Sequence, residues 1–71
     1  MRIVYTDHSA RRMSDRGISK LMVEETLKSP DRMSTGYNNR SIAFKSFKEG
    51  IVKVIFFIEN NDFVVITVMW E

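Results

Sequence analysis

The sequence holds no cysteine, one histidine, one proline and three glycines. Without cysteine there is neither a disulfide framework nor a thiolate metal site. One histidine is too few for a protein-only zinc site, which draws on several Cys or His ligands. Neither a metal nor another cofactor is expected. No run approaches the roughly 20 apolar residues of a membrane span. The opening Met1-Arg2-Ile3-Val4-Tyr5-Thr6-Asp7 lacks the long apolar stretch of a signal peptide. A cytoplasmic chain with no membrane partner is the expectation. Charge of one sign is also scarce: eleven Lys and Arg stand against nine Asp and Glu, a net charge of +2. The whole molecule is therefore no polycation, and the placement of charge matters more than its sum.

What remains is a chain of 71 residues, which is one domain, residues 1–71. A chain this short buries only about 60% of the surface its unfolded form exposes, so stability is marginal. With no disulfide or metal, stability rests on a dense core or on a partner chain. The apolar fraction of 44% is ordinary for a globular domain and argues against disorder. Arg2, Arg11, Arg12 and Arg16 face only Asp7 and Asp15 in the first sixteen residues. An anionic partner is thus expected at the N-terminal helix.

Arg2-Ile3-Val4-Tyr5 is a short β-type run. Thr6 offers an N-cap oxygen, and Asp7 puts a negative charge in the first turn of a helix over residues 7–16. Gly17 suits the left-handed residue that ends it. Ser19 caps a second helix to about Lys28, with Ile18 and Val23 as a hydrophobic staple. Val23, Thr26, Leu27 and Met22 form its inward face, and Pro30 stops it. Residues 30–39 are polar, with Gly36, Asn38 and Asn39 as turn formers, and read as a loop with room for a strand at Arg32–Ser34. Three β-type runs follow: Arg40–Phe47, Ile51–Ile58 and Phe63–Trp70. Lys48-Glu49-Gly50 and Glu59-Asn60-Asn61-Asp62 are the turns between them. Turns this short give an antiparallel meander. The reading is an α+β domain of order β-α-α-β-β-β, with two N-terminal helices packed on a small antiparallel sheet. The last two strands are apolar at nearly every position, a pattern of strands covered on both faces. The helices cover one face, so the other calls for a partner, a bound segment or a dimer mate.

The segment Thr6-Asp7-His8-Ser9-Ala10-Arg11-Arg12-Met13-Ser14-Asp15-Arg16-Gly17-Ile18-Ser19 resembles a small family of unknown-function domains of the RelE/ParE-like toxin superfamily, related to BrnT-type toxins. The family pattern reads approximately His-Ala-x-x-Arg-Met-x-x-Arg-Gly-Ile-Ser, then Val-x-x-x-Leu and a Pro. His8, Arg12, Met13, Arg16, Gly17, Ile18, Ser19, Val23, Leu27 and Pro30 fill those places, and Ser9 stands where the family has alanine. The resemblance implies a RelE-like fold and a toxin-like RNA-acting module of a toxin–antitoxin pair, with RNA and an antitoxin-like protein as partners. In RelE-like folds basic residues of the central strands line the RNA-facing groove. That implies a nucleic-acid-binding role for Lys45 and Lys53, and more weakly for Arg40.

His8, Arg12 and Arg16 recur at i, i+4 and i+8, so they form one helical stripe with Arg11 and Asp15 at its edge. Backbone N–H groups of a first turn can hold a phosphate. His8 and Arg12 are the catalytic candidates for metal-independent RNA cleavage, and Arg11 and Arg16 are further nucleic-acid contacts. His8 would take the proton of a 2′-hydroxyl, and the arginines would stabilise the charge of the phosphorane. The alternative is architectural: His8 bonds a neighbouring segment, and Arg12 and Arg16 pair with Glu24, Glu25 or Asp15. Lys45 and Lys53 each interrupt an apolar strand, which suits an open cleft, a solvent face or a guarded edge. Tyr5, Tyr37 and Trp70 are either base-stacking or core residues, and Met13, Met22, Met33 and Met69 read as core filler. Three functions stay open: a ribonuclease-type module, a non-catalytic protein- or nucleic-acid-binding domain of the same fold, and a structural homodimer joined through the apolar sheet.

Overall fold

A computed structural model describes residues 1–71. The first turn of helix α1, Asp7–Arg16, is fixed by Thr6, whose side chain accepts the Ser9 N–H at 3.0 Å. Gly17 ends the helix at φ 66°, a left-handed backbone that glycine adopts without steric cost. The Gly17 N–H donates to the Ser14 carbonyl at 3.4 Å, and the Ile18 N–H to the Met13 carbonyl at 2.9 Å. This pair of bonds is a Schellman ending. It brings Ile18 back onto Met13, and both join the core. Helix α2, Lys20–Lys28, begins where the Ser19 hydroxyl accepts the Met22 N–H at 3.2 Å. Ile18 and Val23, the expected staple, are both buried.

Five strands follow or flank the helices: β1 (Ile3–Tyr5), β2 (Arg32–Thr35), β3 (Ser41–Phe47), β4 (Gly50–Glu59) and β5 (Asp62–Trp70). They form one sheet in the order β1-β5-β4-β3-β2. The α+β class and the helices-on-sheet arrangement are as the sequence implies. The sheet is larger than the expected antiparallel meander in two ways. The Arg32–Thr35 segment is a full strand at one edge, antiparallel to β3. At the other edge β1 runs parallel to β5, which makes the sheet mixed. The helical pair between β1 and the rest carries the chain across one face, and a parallel pairing needs such a crossover. The β4–β5 turn places Asn60 and Asn61 at φ 51° and 65°, the left-handed pair of a two-residue hairpin turn. Ile55 opposes Thr67 while Phe56 opposes Val65, so Ile66 is an extra residue bulged out of β5.

Side chains alternate across β4. Val52, Val54 and Phe56 point to the helices and join Val65, Val68, Ala43, Met13, Ile18, Val23 and Leu27 in the core. The opposite face carries Ile51, Lys53, Ile55, Phe57 and Glu59, and nothing from the chain packs over it as a layer. No helix is long and apolar enough to cross a membrane.

Candidate functional site

Helix α1 puts the His8–Arg12–Arg16 stripe on its surface, but the three side chains lead different lives. His8 is exposed and makes no side-chain hydrogen bond or ion pair, and neither does Arg11. Arg12 pairs with Asp15 one turn on, at 3.2 Å. Arg16 reaches across to the sheet, where its guanidinium donates to the Val68 carbonyl at 2.7 Å. The indole N–H of Trp70 returns the contact by donating to the Arg16 carbonyl at 2.7 Å. This lies along the part of β5 beyond β1, which pairs only with residues 63–65. Arg16 thus closes an otherwise open strand edge, and Trp70 caps the end of α1 rather than offering a free ring. Met13, Gly17, Ile18 and Ser19, the other motif residues here, serve the core, the helix ending and the next helix start. The Ser9 hydroxyl is spent internally as a donor to the Thr6 carbonyl at 2.9 Å.

The molecule's one cleft lies elsewhere. It measures about 60 Å³ and is lined by Asp31, Arg32, Phe44, Lys45, Ser46 and Ile51. His8, Arg11, Arg12 and Arg16 have no part in it. Lys45 does, but its ammonium is held by the Ser29 carbonyl at 2.8 Å and by Asp31 at 3.8 Å. Lys45 and Lys53 do not share a groove. Lys45 is the cross-strand partner of Val52, on the helix side, whereas Lys53 is the partner of Phe44, on the open side. Arg40 is exposed ahead of β3 and apart from both. Tyr37 is 91% exposed in the preceding turn. Tyr5 faces the helices, with its hydroxyl buried and unpartnered. Burial, and then the Glu24 carboxylate, push its phenol pKa above the ordinary 10.0.

The face of the sheet away from the helices is not roofed by either of them. Strand register sorts it into rows. Arg32, Phe44, Lys53 and Met69 make one row, and Ser34, Ile42, Ile55 and Thr67 the next. Phe57, Val64 and Val4 make a third. Glu59 and Asp62 make an acidic row at the far end. In the first row the Arg32 guanidinium stacks 3.7 Å from the Phe44 ring centre and bonds both oxygens of Glu71 at 2.9 and 3.0 Å. In the last, Arg2 holds Asp62 at 3.1 Å. That contact, chiefly the side-chain hydrogen bond, keeps the Asp62 pKa below its ordinary 3.8. Lys53 and Glu59 have no ionic partner. Between the charged rows lies an apolar band of Ile42, Ile55, Phe57, Val64 and the exposed Val4.

A family model described as Domain of unknown function (DUF4258) matches residues 5–70. The chain belongs to this family. The DUF4258 match takes in α1, α2 and nearly the whole sheet, so it covers the stripe and the open face alike. No curated protein and no solved structure matches the chain. The residues of the open face were only half legible in the sequence. The all-apolar strands announced an uncovered face, but Glu59 read as turn and Arg32 as loop. The signal for Glu59 was parity, since it shares its side of the strand with Lys53.

Proposed function

We propose that this domain is a protein-interaction module whose working surface is the open face of the sheet. The observation that carries the reading is the band of Ile42, Ile55, Phe57, Val64 and Val4, left bare by the helices and bordered by charged rows. A contiguous apolar patch with a polar rim is the general form of a protein-binding site. A partner there would also offset the thin core of so small a domain. The resemblance to RelE/ParE-like toxins is compatible with this use, if the domain is a member of that fold that binds through its sheet without cleaving RNA.

The RNA-acting reading keeps one observation in its favour: His8 and Arg11 are exposed and free of partners. Against it, Arg12 is paired, Arg16 is bound to backbone, and no cleft encloses the stripe. General base catalysis needs a substrate hydroxyl held within hydrogen-bond reach, and a convex helix surface holds none.

Photo-crosslinking separates the two. A benzophenone side chain placed at residue 57 should give a protein adduct. The same group at residue 8 should give none. RNA adducts from residue 8, together with no protein adduct from residue 57, would reverse the assignment.

A further inference from the structure

Lys53 and Glu59 lie on the same face of β4 with only Ile55 and Phe57 between them on that side. The other charged strand residues of this face are already matched, Arg32 with Glu71 and Asp62 with Arg2. The face therefore presents one cation and one anion without an ion-pair partner, equidistant from Phe56 along the central strand, the Lys53 ammonium lying 5.9 Å from the Phe44 ring centre. Such a pattern is its own complement when turned end for end.

We propose that the occupant of the open face is a second copy of this chain, seated face to face across a two-fold axis that crosses β4 at Phe56 at right angles to the strand. The inference rests on the reading of this face as the working surface and names what fills it. In this arrangement the two β4 strands run antiparallel over one another. Lys53 meets the partner subunit's Glu59, and Glu59 meets the partner subunit's Lys53. Ile55 meets the partner subunit's Phe57, and on the neighbouring strand Thr67 meets the partner subunit's Val64. Every contact occurs twice, as an isologous interface requires. Stacked sheets sit about 10 Å apart, a gap that an extended lysine and glutamate bridge together. The competing two-fold, along the strand, would set Lys53 on Lys53 and Glu59 on Glu59, and like charges face to face are penalised. Four strands at about 4.8 Å spacing, over a length of about 20 Å, give about 400 Å² on each subunit and roughly 800 Å² in all. That is below the standard size of specific interfaces, so the dimer is a weak one, held in register by its charge pairs.

The experiment is a charge swap read by sedimentation equilibrium across micromolar concentrations, with a circular dichroism melt of each variant to confirm folding. Lys53→Glu should weaken the wild-type dimer about tenfold or more, and so should Glu59→Lys. The double variant, Lys53→Glu with Glu59→Lys, should recover most of the loss, because it restores two opposite pairs. A purely structural role for either residue predicts additive losses and no recovery. Additive losses overturn the proposal, as does a wild-type chain that stays monomeric throughout. If the wild type is monomeric yet residue 57 still crosslinks to a different protein, the copy-on-copy arrangement falls and the interaction face stands. If residue 57 crosslinks to nothing, both fall.

Discussion

Phe56 and Phe57 are neighbours in sequence and opposites in environment. Phe56 points to the helices, 4% exposed, and meets the Phe63 ring edge-on at a 5.4 Å centroid distance. Phe57 points the other way, half-buried among Ile55, Val64 and the open edge. The two faces of β4 hold similar apolar residues, yet only one has been given atoms to pack against. The difference teaches that composition along a strand decides whether a face wants cover, while topology decides whether the same chain supplies it. Two short helices can roof one side of a five-stranded sheet and no more.

The sharpest way to break that contrast is truncation on each side. Phe56→Ala should lower the unfolding free energy by about 4 kcal/mol, since it opens a cavity in the only closed core. Phe57→Ala should cost the isolated monomer about 1 kcal/mol, with its larger effect on association. Urea unfolding under dilute conditions measures both, and equal losses would mean that the open face is packed as tightly as the core.

A smaller effect tests the same contrast on helix α1, between its anchored and its free end. Arg16→Ala should cost about 2 kcal/mol, because it removes a charge-assisted hydrogen bond and strips Val68 of its partner. His8→Ala should stay within about 0.5 kcal/mol, as exposed positions do. Thermal melts of the two variants decide whether the stripe is divided in this way. A loss at His8 as large as that at Arg16 would show a role for the imidazole that the present contacts lack.

The smallest effect lies in the acidic row, where Asp62 is matched and Glu59 is free. The Arg2 contact lowers the folded-state pKa of Asp62, so its contribution to stability is present above the unfolded value near 3.8 and fades as pH falls through the folded value. Arg2→Ala should move the Asp62 titration back up towards that ordinary value and flatten this part of the acid unfolding curve. Carboxyl NMR titration of the two proteins reads the shift, and an unmoved Asp62 would refute the pairing.

Local chemistry was the legible part of the sequence. Thr6, Gly17 and Ser19 fixed both helices because caps act within a turn of the chain, and Asn60-Asn61 announced its hairpin for the same reason. The β1–β5 pairing was illegible, since it joins Ile3 to Phe63 and no pattern around Ile3 specifies a partner sixty residues away. β2 was nearly invisible because its four residues are exposed throughout and show no apolar alternation. The candidate site suffered from a related gap. Lys45 and Lys53 look alike as interruptions of apolar runs, and only the cross-strand register places them on opposite sides of the sheet. Arg16 looked like a ligand-binding cation because its actual partner, a backbone carbonyl, leaves no mark in a sequence.

The parallel pairing of β1 with β5 has a kinetic meaning. The first strand of the domain hydrogen-bonds only to the last, so one edge of the sheet cannot form until β5 has been synthesised. A nascent fragment ending before residue 63 has its helices but lacks the strand against which α1 packs. Closing so long a loop is entropically slow. Until the final strand arrives, the apolar sides of α1 and β4 are exposed together, and aggregation competes with folding over that interval.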